Sequence, residues 1–503
     1  MTTVKTSPRR GKSSSRRVAR SLEAHGVIAL VLGGLIYVLA VTGTTSVFNR
    51  EFQRWEQPLA PEMLSIAPTA AAAAAAEVFE SEAQPTTHLY INFPQPDLPR
   101  TVITTDTQAF FANADGTIAG REHFPWTQFL LDLHYYLHLP QVLGLTVVGA
   151  LGAFLVAMSI SGFMAHPRIF RDAFTVRRGA GRLPITDLHN RLSVWTAPFH
   201  ISNALTGAML GLATILAGTI AAFSFNNDFN AVFSPIFGEE PAADGTAAPL
   251  AKMAVPLEFM AEQITERPAT FLILHDPATA GQHVSVIAAH HDRLIFGEYY
   301  NFDAAGNFEG NVGISDGTVG QQIAGSIYNL HFGNWGGLPI KFAYVVFGLA
   351  LCTIIASGLR IYFARRQDQG RPVPAFAAVW EAVVWGTPLL LALTLLASTL
   401  GLLEGAGLVA LFWLSLGFIM SIAAFRRHAA GTGAVLKVGL VVALAATVIA
   451  HSVRHAAAIF TAPTLSVSLP LLAIAFVMLL PVLRRRDGTG REGPSTAESG
   501  SAR

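Results

Sequence analysis

The run HGVIALVLGGLIYVLAVTGTTSV, from His25 to Val47, decides the fold of this chain. Gly26 to Val47 contains no charged residue. It is long enough to cross ~30 Å of hydrocarbon at ~1.5 Å per helical residue. A histidine stands at its mouth. The arrangement recurs: His134 and His138 precede Val142–Met164, His189 precedes Leu192–Phe223, and His331 precedes Leu338–Phe363. Boundary histidines on four helices point to ligands in two layers across a bilayer. Neutral imidazole is a good axial ligand for heme iron.

A basic leader ahead of an apolar run also describes a signal peptide. This run lacks a small-x-small cleavage site and ends in Phe48-Asn49-Arg50-Glu51-Phe52-Gln53-Arg54-Trp55, an amphipathic aromatic exit. A retained helix is therefore expected.

Composition agrees with a membrane protein. Charged residues make up 13% of the 503 positions and hydrophobic ones 51%, against about a quarter charged in a soluble chain. The one cysteine, Cys352, lies in an apolar run. That excludes disulfides, Cys-ligated zinc and iron–sulfur clusters within one chain. The Cys-x-x-Cys-His attachment pattern is absent too, so any heme is non-covalent, of b type. No Gly-x-Gly-x-x-Gly fingerprint or Walker-type phosphate loop accompanies these runs, and no nucleic-acid partner is expected.

Eight spans are predicted, near 26–47, 142–164, 192–223, 338–363, 377–402, 407–425, 435–456 and 464–483. The basic clusters orient them. Arg9, Arg10, Lys12, Arg16, Arg17 and Arg20 precede the first span. Arg168, Arg171, Arg177, Arg178 and Arg182 separate spans two and three. Arg365, Arg366 and Arg371 follow span four, Arg426 and Arg427 follow span six, and Arg484, Arg485 and Arg486 follow span eight. All five fall on one side, which places both termini in the cytoplasm.

The expected fold class is an α-helical integral membrane protein of about eight spans with two small α+β extracytoplasmic modules. Its parts are a basic tail (1–24), the first span (25–49), module one (50–133), spans two and three with their basic loop (134–223), module two (224–334), span four (335–366), an appended four-helix bundle (377–483) and a cytoplasmic tail (484–503).

Module one opens with a helix around Ala70–Ala76. Strands follow at Thr87–Phe93 and Thr101–Thr105, then a hairpin over Ala109–Ala119 turning at Asn113-Ala114-Asp115-Gly116. Module two repeats the theme. A helix near Leu257–Glu266 precedes strands at Thr270–His275, His283–Ala288 and Glu298–Phe302, with a turn over Asp303–Asn307. Pro241–Pro249 reads as a linker or mobile loop. The repetition points to an internal duplication: span, module, span, twice.

Each half then carries one histidine at the cytoplasmic start of its outgoing helix (His25, His189). Another stands at the external start of the returning helix (His134, His331). Imidazoles must approach an iron from opposite sides of the porphyrin, so the ligands come from different helices. This pairs His25 with His189 at an inner heme and His134 with His331 at an outer one. Two hemes are needed because tunnelling weakens steeply with distance.

His138, four residues after His134, is expected on the same helical face as an alternative ligand or proton-handling group. His200, eleven residues after His189, returns to nearly the same face about 16 Å deeper. An intramembrane ionisable group there is usually functional, as an alternative ligand or as a hydrogen-bond partner of a propionate or of a helix opened by Pro198. His451 and His455 read as a polar cap more readily than as a third site. His166, His275, His283, His290, His291 and His428 fall in loops or predicted strands. His290-His291-Asp292 is compatible with an external iron contact.

At these positions the chain resembles the PepSY-associated transmembrane family, which includes bacterial inner-membrane ferric-siderophore reductases. The resemblance rests on His25 through Leu30 continuing to Thr42-Gly43 with its exit Phe48–Phe52, on Leu133-His134, and on Ser161-Gly162-Phe163 leading to Pro167-Arg168. It continues in Asp187–Trp195 through Leu205-Thr206-Gly207, in Leu330-His331-Phe332-Gly333 before Gly337-Leu338-Pro339, and in Ser357-Gly358-Leu359. It covers about residues 20–366. It implies two b hemes in the bundle, PepSY-like modules outside, and His25, His134, His189 and His331 as the ligands. Spans 377–483 are not part of the basic unit.

The expected function is electron transfer from a cytoplasmic or quinol donor through two hemes to an external acceptor, by analogy a ferric siderophore. Its alternatives are a heme-free binding or signalling protein built on the outside modules, and a permease using the last four spans with His200.

Overall fold

The computed structural model describes residues 10–166, 168–174, 183–239, 241–290 and 292–489. Arg9, Pro167, Arg177, Arg178, Arg182, His291 and the tail beyond 489 lie outside the described residues.

The chain begins with α1 (Arg10–Ser46), α2 (Asn49–Glu56) and α3 (Pro68–Glu80), followed by β1 (His88–Asn92), β2 (Thr101–Thr105), β3 (Ala109–Ala112) and β4 (Ile118–Arg121). Next come α4 (Pro125–Tyr136), α5 (Gln141–Ala165), α6 (Ile169–Asp172), α7 (Leu183–Trp195), α8 (Ala197–Ser224), α9 (Asn230–Phe237) and α10 (Ala254–Gln263). Strands β5 (Ala269–His275), β6 (His283–Ala288), β7 (Glu298–Phe302) and β8 (Phe308–Val312) lead to α11 (Val319–Phe332) and α12 (Gly337–Asp368). The chain closes with α13 (Pro374–Thr399), α14 (Ala406–Arg426), α15 (Ala429–Arg454) and α16 (Ala462–Thr489).

Among the described residues, eight helices are long and apolar enough to cross a membrane. They are α1, α5, α8, α12, α13, α14, α15 and α16, matching the eight predicted spans. The protein is therefore a multi-pass membrane protein, mostly helical, with an antiparallel sheet added. Residues 1–373 and 374–503 form separate compact units.

In the first unit, α5 crosses α8 with backbones almost touching. A Cβ on Gly149 would stand 2.9 Å from the Gly211 carbonyl carbon, and one on Gly211 would stand 2.7 Å from the Gly149 Cα. Such small-residue crossings are how helices associate in lipid, where no hydrophobic force pulls them together. Helix α1 packs on both α5 and α12. Lys341, buried near the start of α12, donates to both Glu51 carboxylate oxygens (2.7 and 3.0 Å) and lies 3.1 Å from Asp97.

The sequence led to two separate outside modules; the structure joins them. Their strands form one eight-stranded antiparallel sheet in the order β4-β3-β2-β1-β5-β6-β7-β8. The seam is the β1–β5 pair, with Leu89 opposite Leu274 and Ile91 opposite Leu272. Fusing the halves removes two edges that would otherwise expose unpaired backbone groups. Alternate residues face one side, where Leu89, Ile91, Ile103, Leu272, Leu274, Val284, Val286 and Phe302 are buried against α3 and α10. Ala71, Ala74, Ala75 and Val78 form the α3 face of that core, their small side chains letting the helix lie close.

Three further expectations are corrected. The segment 192–223 is not one helix. It breaks at Thr196 (φ −102°, ψ 9°), and α8 starts anew with Pro198 in its first turn, where a missing N–H costs nothing. His138 does not share a helical face with His134. Helix α4 ends at Tyr136, and Leu137 and His138 both adopt left-handed backbone (φ 55° and 58°). Pro241–Pro249 is tied rather than loose: Gly281 N donates to Asp244 O, Ala280 N to Thr246 O and Ala248 N to Ala278 O.

The second unit packs α13 against α14 and α15. Arg454 Nη1 donates to Thr399 O, satisfying the C-terminal end of α13. His451 is buried there, with its ring centre 4.7 Å from that of His455.

Candidate functional site

Three of the four boundary histidines ride on short helices beside the bundle rather than on the spans. His134 is on α4, His189 on α7 and His331 on α11, while His25 is on α1. Each short helix is followed within a few residues by a span, so the turn between them fixes where the ring enters. At α4 the entry is tight, since a Cβ on Gly144 would overlap Tyr136.

All four imidazoles turn Nδ1 to a helix hydroxyl. His134 Nδ1 lies 3.1 Å from Thr42 Oγ1. His331 Nδ1 lies 3.2 Å from Thr206 Oγ1 and 3.1 Å from Asn203 O. His25 Nδ1 lies 2.9 Å from Met158 O and 3.4 Å from Ser161 Oγ. His189 Nδ1 lies 3.0 Å from Ile354 O and 3.1 Å from Ser357 Oγ. A carbonyl only accepts, so Nδ1 carries the proton in His25, His189 and His331. Each hydroxyl also donates to its own helix: Thr42 to Leu39 O, Thr206 to Asn203 O, Ser161 to Met158 O and Ser357 to Ile354 O. Its lone pair is thereby left to accept from the imidazole.

Fixing the proton on Nδ1 leaves Nε2 as a lone pair. This is how metal-binding histidines are oriented and made more basic by their surroundings.

The residue after each hydroxyl is glycine, and each glycine is where the ring edge rests. A Cβ on Gly43 would stand 2.6 Å from His134 Cε1, and one on Gly207 would stand 2.7 Å from His331 Cε1. The corresponding distances are 3.3 Å for Gly162 against His25 and 3.2 Å for Gly358 against His189. The pairing is duplicated. In each half the first histidine rests on the second span, and the second histidine rests on the first.

His134 and His331 face one another with ring centres 6.3 Å apart and planes 22° from parallel. Two imidazoles bound through Nε2 to opposite sides of one iron, at metal–nitrogen distances of ~2 Å, have ring centres about 6 Å apart. A cavity of about 320 Å³ adjoins the pair, lined by Gly43, Gly207, Gly211, Gly348 and apolar side chains of α1, α5, α8 and α12. Glycine walls and an apolar lining suit a flat macrocycle, so the donor set and the space both fit a bis-histidine heme. His25 and His189 share the carbonyl-anchored Nδ1 and the glycine seat, His25 resting on α5 and His189 on α12.

The other two candidates stand apart. His138 turns its Nε2 to Phe129 O (3.0 Å) and stacks on the Phe129 ring at 4.8 Å. His200 is buried, with Nδ1 3.3 Å from the Thr196 hydroxyl one turn back on its own chain. Neither lines the cavity. Thr42, Ser161, Thr206 and Ser357 were missed as functional residues, although a signal existed. Gly43 follows His25 by eighteen positions, and Gly207 follows His189 by the same interval.

Fold and site together define a multi-pass membrane protein whose spans converge on paired imidazoles. The chain belongs to the PepSY-associated TM region family, whose model matches residues 22–365. It is also similar to an uncharacterized protein of Pseudomonas aeruginosa, 26% identical over 262 residues, which covers 48% of this chain and 64% of that protein.

Proposed function

We propose that the first unit is a di-heme electron carrier, with an inner b-type heme between His25 and His189 and an outer one between His134 and His331. The observation that carries this reading is the facing pair His134 and His331, with ring centres 6.3 Å apart beside an apolar, glycine-walled cavity. Bound there, heme would supply reversible one-electron transfer. The residues would hold the ring orientation, exclude water with an apolar lining, and keep Nδ1 protonated by fixed acceptors.

The one-sided basic clusters support an orientation with both termini in the cytoplasm, in a bacterial inner membrane, and with the sheet outside. Electrons would enter from a cytoplasmic or quinol donor and leave to an external ferric chelate of siderophore type. Adding one electron to the ferric ion gives Fe(II), a softer ion that a hard-oxygen ligand set holds more weakly, and iron is released.

The reduced-minus-oxidised spectrum of purified full-length protein tests this. A Soret band, a sharp α-band on dithionite reduction and two hemes per chain are expected. His25→Ala and His189→Ala should each lose the inner heme, and His134→Ala and His331→Ala the outer one. His200→Ala and His138→Ala should retain both. Colourless folded protein, or two hemes kept in all four boundary variants, defeats the reading.

A further inference from the structure

The sheet has a second face, opposite the one covered by α3 and α10, and it bears a row of histidines at one end. His88 on β1 is in register with His275 on β5, and His275 with His283 on β6. Directly opposed residues on antiparallel strands have Cβ atoms ~5 Å apart. That is within the reach of two imidazoles sharing one metal at bonds of ~2 Å.

The rings are already in contact. His275 and His283 stack with centres 4.3 Å apart and planes 5° from parallel, and His88 meets His275 edge-on at 5.3 Å. Three imidazoles crowded side by side gain little from one another as apolar surface. They do bring three nitrogen donors to one spot.

The surroundings hold the row in place. His88 Nδ1 lies 2.8 Å from the Thr87 hydroxyl, which steadies that edge of the ring. That hydroxyl and Thr87 N both donate to Asp106. The β5–β6 loop beneath His283 is pinned by the buried Gln282 side chain, which accepts from Ala251 N and Ala278 N and donates to Pro249 O. Among the described residues no three ligating groups yet close on a common point. The stacked rings must splay for that to happen, and His283 is free to turn, because its Nδ1 has only a 3.4 Å contact to Gly281 O.

We propose that His88, His275 and His283 form a binding site for a divalent transition-metal ion of the copper or zinc type at the half-exposed end of the sheet's second face. Imidazole suits these ions over the hard cations magnesium and calcium. Thr87 Oγ1, which itself donates to Asp106 Oδ2, orients His88 through Nδ1 as outer partners do behind metal-bound histidines. This site is separate from the heme reading and stands or falls without it.

The test uses Cu(II) alone as probe, added to the full chain in detergent, with calorimetry for stoichiometry and electron paramagnetic resonance for ligand type. One Cu(II) with multiple-nitrogen hyperfine structure is expected in the wild type. Its affinity should fall at least tenfold in His275→Gln and in His283→Gln, and by less in His88→Gln. His290→Ala should leave it unchanged. Zn(II) should compete for the same site. Because all three side chains are half-exposed at the end of the sheet, the Gln variants should keep close to the wild-type melting temperature. Wild-type Cu(II) affinity in the folded triple Gln variant, or a signal dominated by oxygen ligands, would overturn the assignment.

Discussion

Gly43 faces His134 so closely that a single added methyl would stand 2.6 Å from the ring edge, well inside contact distance. The same relation links Gly207 to His331 at 2.7 Å, whereas Gly162 and Gly358 leave 3.3 and 3.2 Å to His25 and His189. Gly43→Ala and Gly207→Ala must therefore push a ligand aside in a close-packed interior. On the di-heme reading, each is expected to lower the heme content from two per chain to about one. Gly162→Ala and Gly358→Ala need shifts of only a few tenths of an ångström, so both hemes should remain while the inner midpoint potential moves. Heme-to-protein ratios with a potentiometric titration check this. An unchanged outer heme in Gly43→Ala would show that the ring does not lean where the structure puts it.

At His25 and His189 the hydroxyl before the glycine tunes the ring rather than holding it, since the backbone carbonyl remains when the hydroxyl goes. Ser357→Ala is expected to keep the heme. An imidazole with fewer acceptors on Nδ1–H is a weaker electron donor to iron, so the inner potential should rise modestly. Ser161 stands 3.4 Å from His25 Nδ1 and Ser357 stands 3.1 Å from His189 Nδ1. Ser161→Ala should accordingly shift the potential less than Ser357→Ala, and redox titration of the two variants decides the order.

Much of this was legible in the chain, and the rest was hidden for identifiable reasons. The spans were readable because hydrocarbon demands a long apolar run, and all eight appear. The partners of His134 and His331 were readable because the duplication matches them half to half. The break at Thr196 was only hinted at by Pro198, since a proline in a helix reads equally as a kink. Four-residue spacing puts His138 on the His134 face only if the helix continues. The left-handed backbone after Tyr136, just ahead of Pro140, cancels that spacing. The β1–β5 seam joins strands far apart in sequence, and no local pattern announces it. The roles of Thr42, Ser161, Thr206 and Ser357 were obscured because small residues in membrane helices ordinarily serve packing.

Lys341 supplies a stability test outside the histidine pairs. It is 7% exposed and bridges Glu51, 8% exposed, and Asp97, tying the segment after α1 to the start of α12. Removing one partner of a buried pair leaves an uncompensated charge, at a cost of about 3–5 kcal/mol. Lys341→Ala should lower the melting temperature clearly. Lys341→Ala combined with Glu51→Gln should recover part of the loss, because the stranded charge is gone. A double variant as unstable as the single one would mean that packing, not charge, makes the junction.

The junction of α2 and α4 should respond to pH. Glu56 ends α2 and caps α4, the helix bearing His134, by accepting from Trp126 N (2.8 Å) and Thr127 N (3.0 Å). Burial pushes its carboxyl up to about 7, outweighing those hydrogen bonds, and burial pushes Glu122 nearby in sequence to about 7 despite Arg100. Both values lie above the ordinary 4.5, so each group binds its proton more tightly when folded. Their contribution is complete below about 4.5 and is lost as pH rises towards and through 7. Thermal melts across that window should show stability falling with rising pH from these two groups. Glu56→Gln should remove part of the slope and Glu56→Gln with Glu122→Gln most of it. If the carboxylates were instead stabilised in the fold, the slope would run the other way, with both variants losing stability most at high pH.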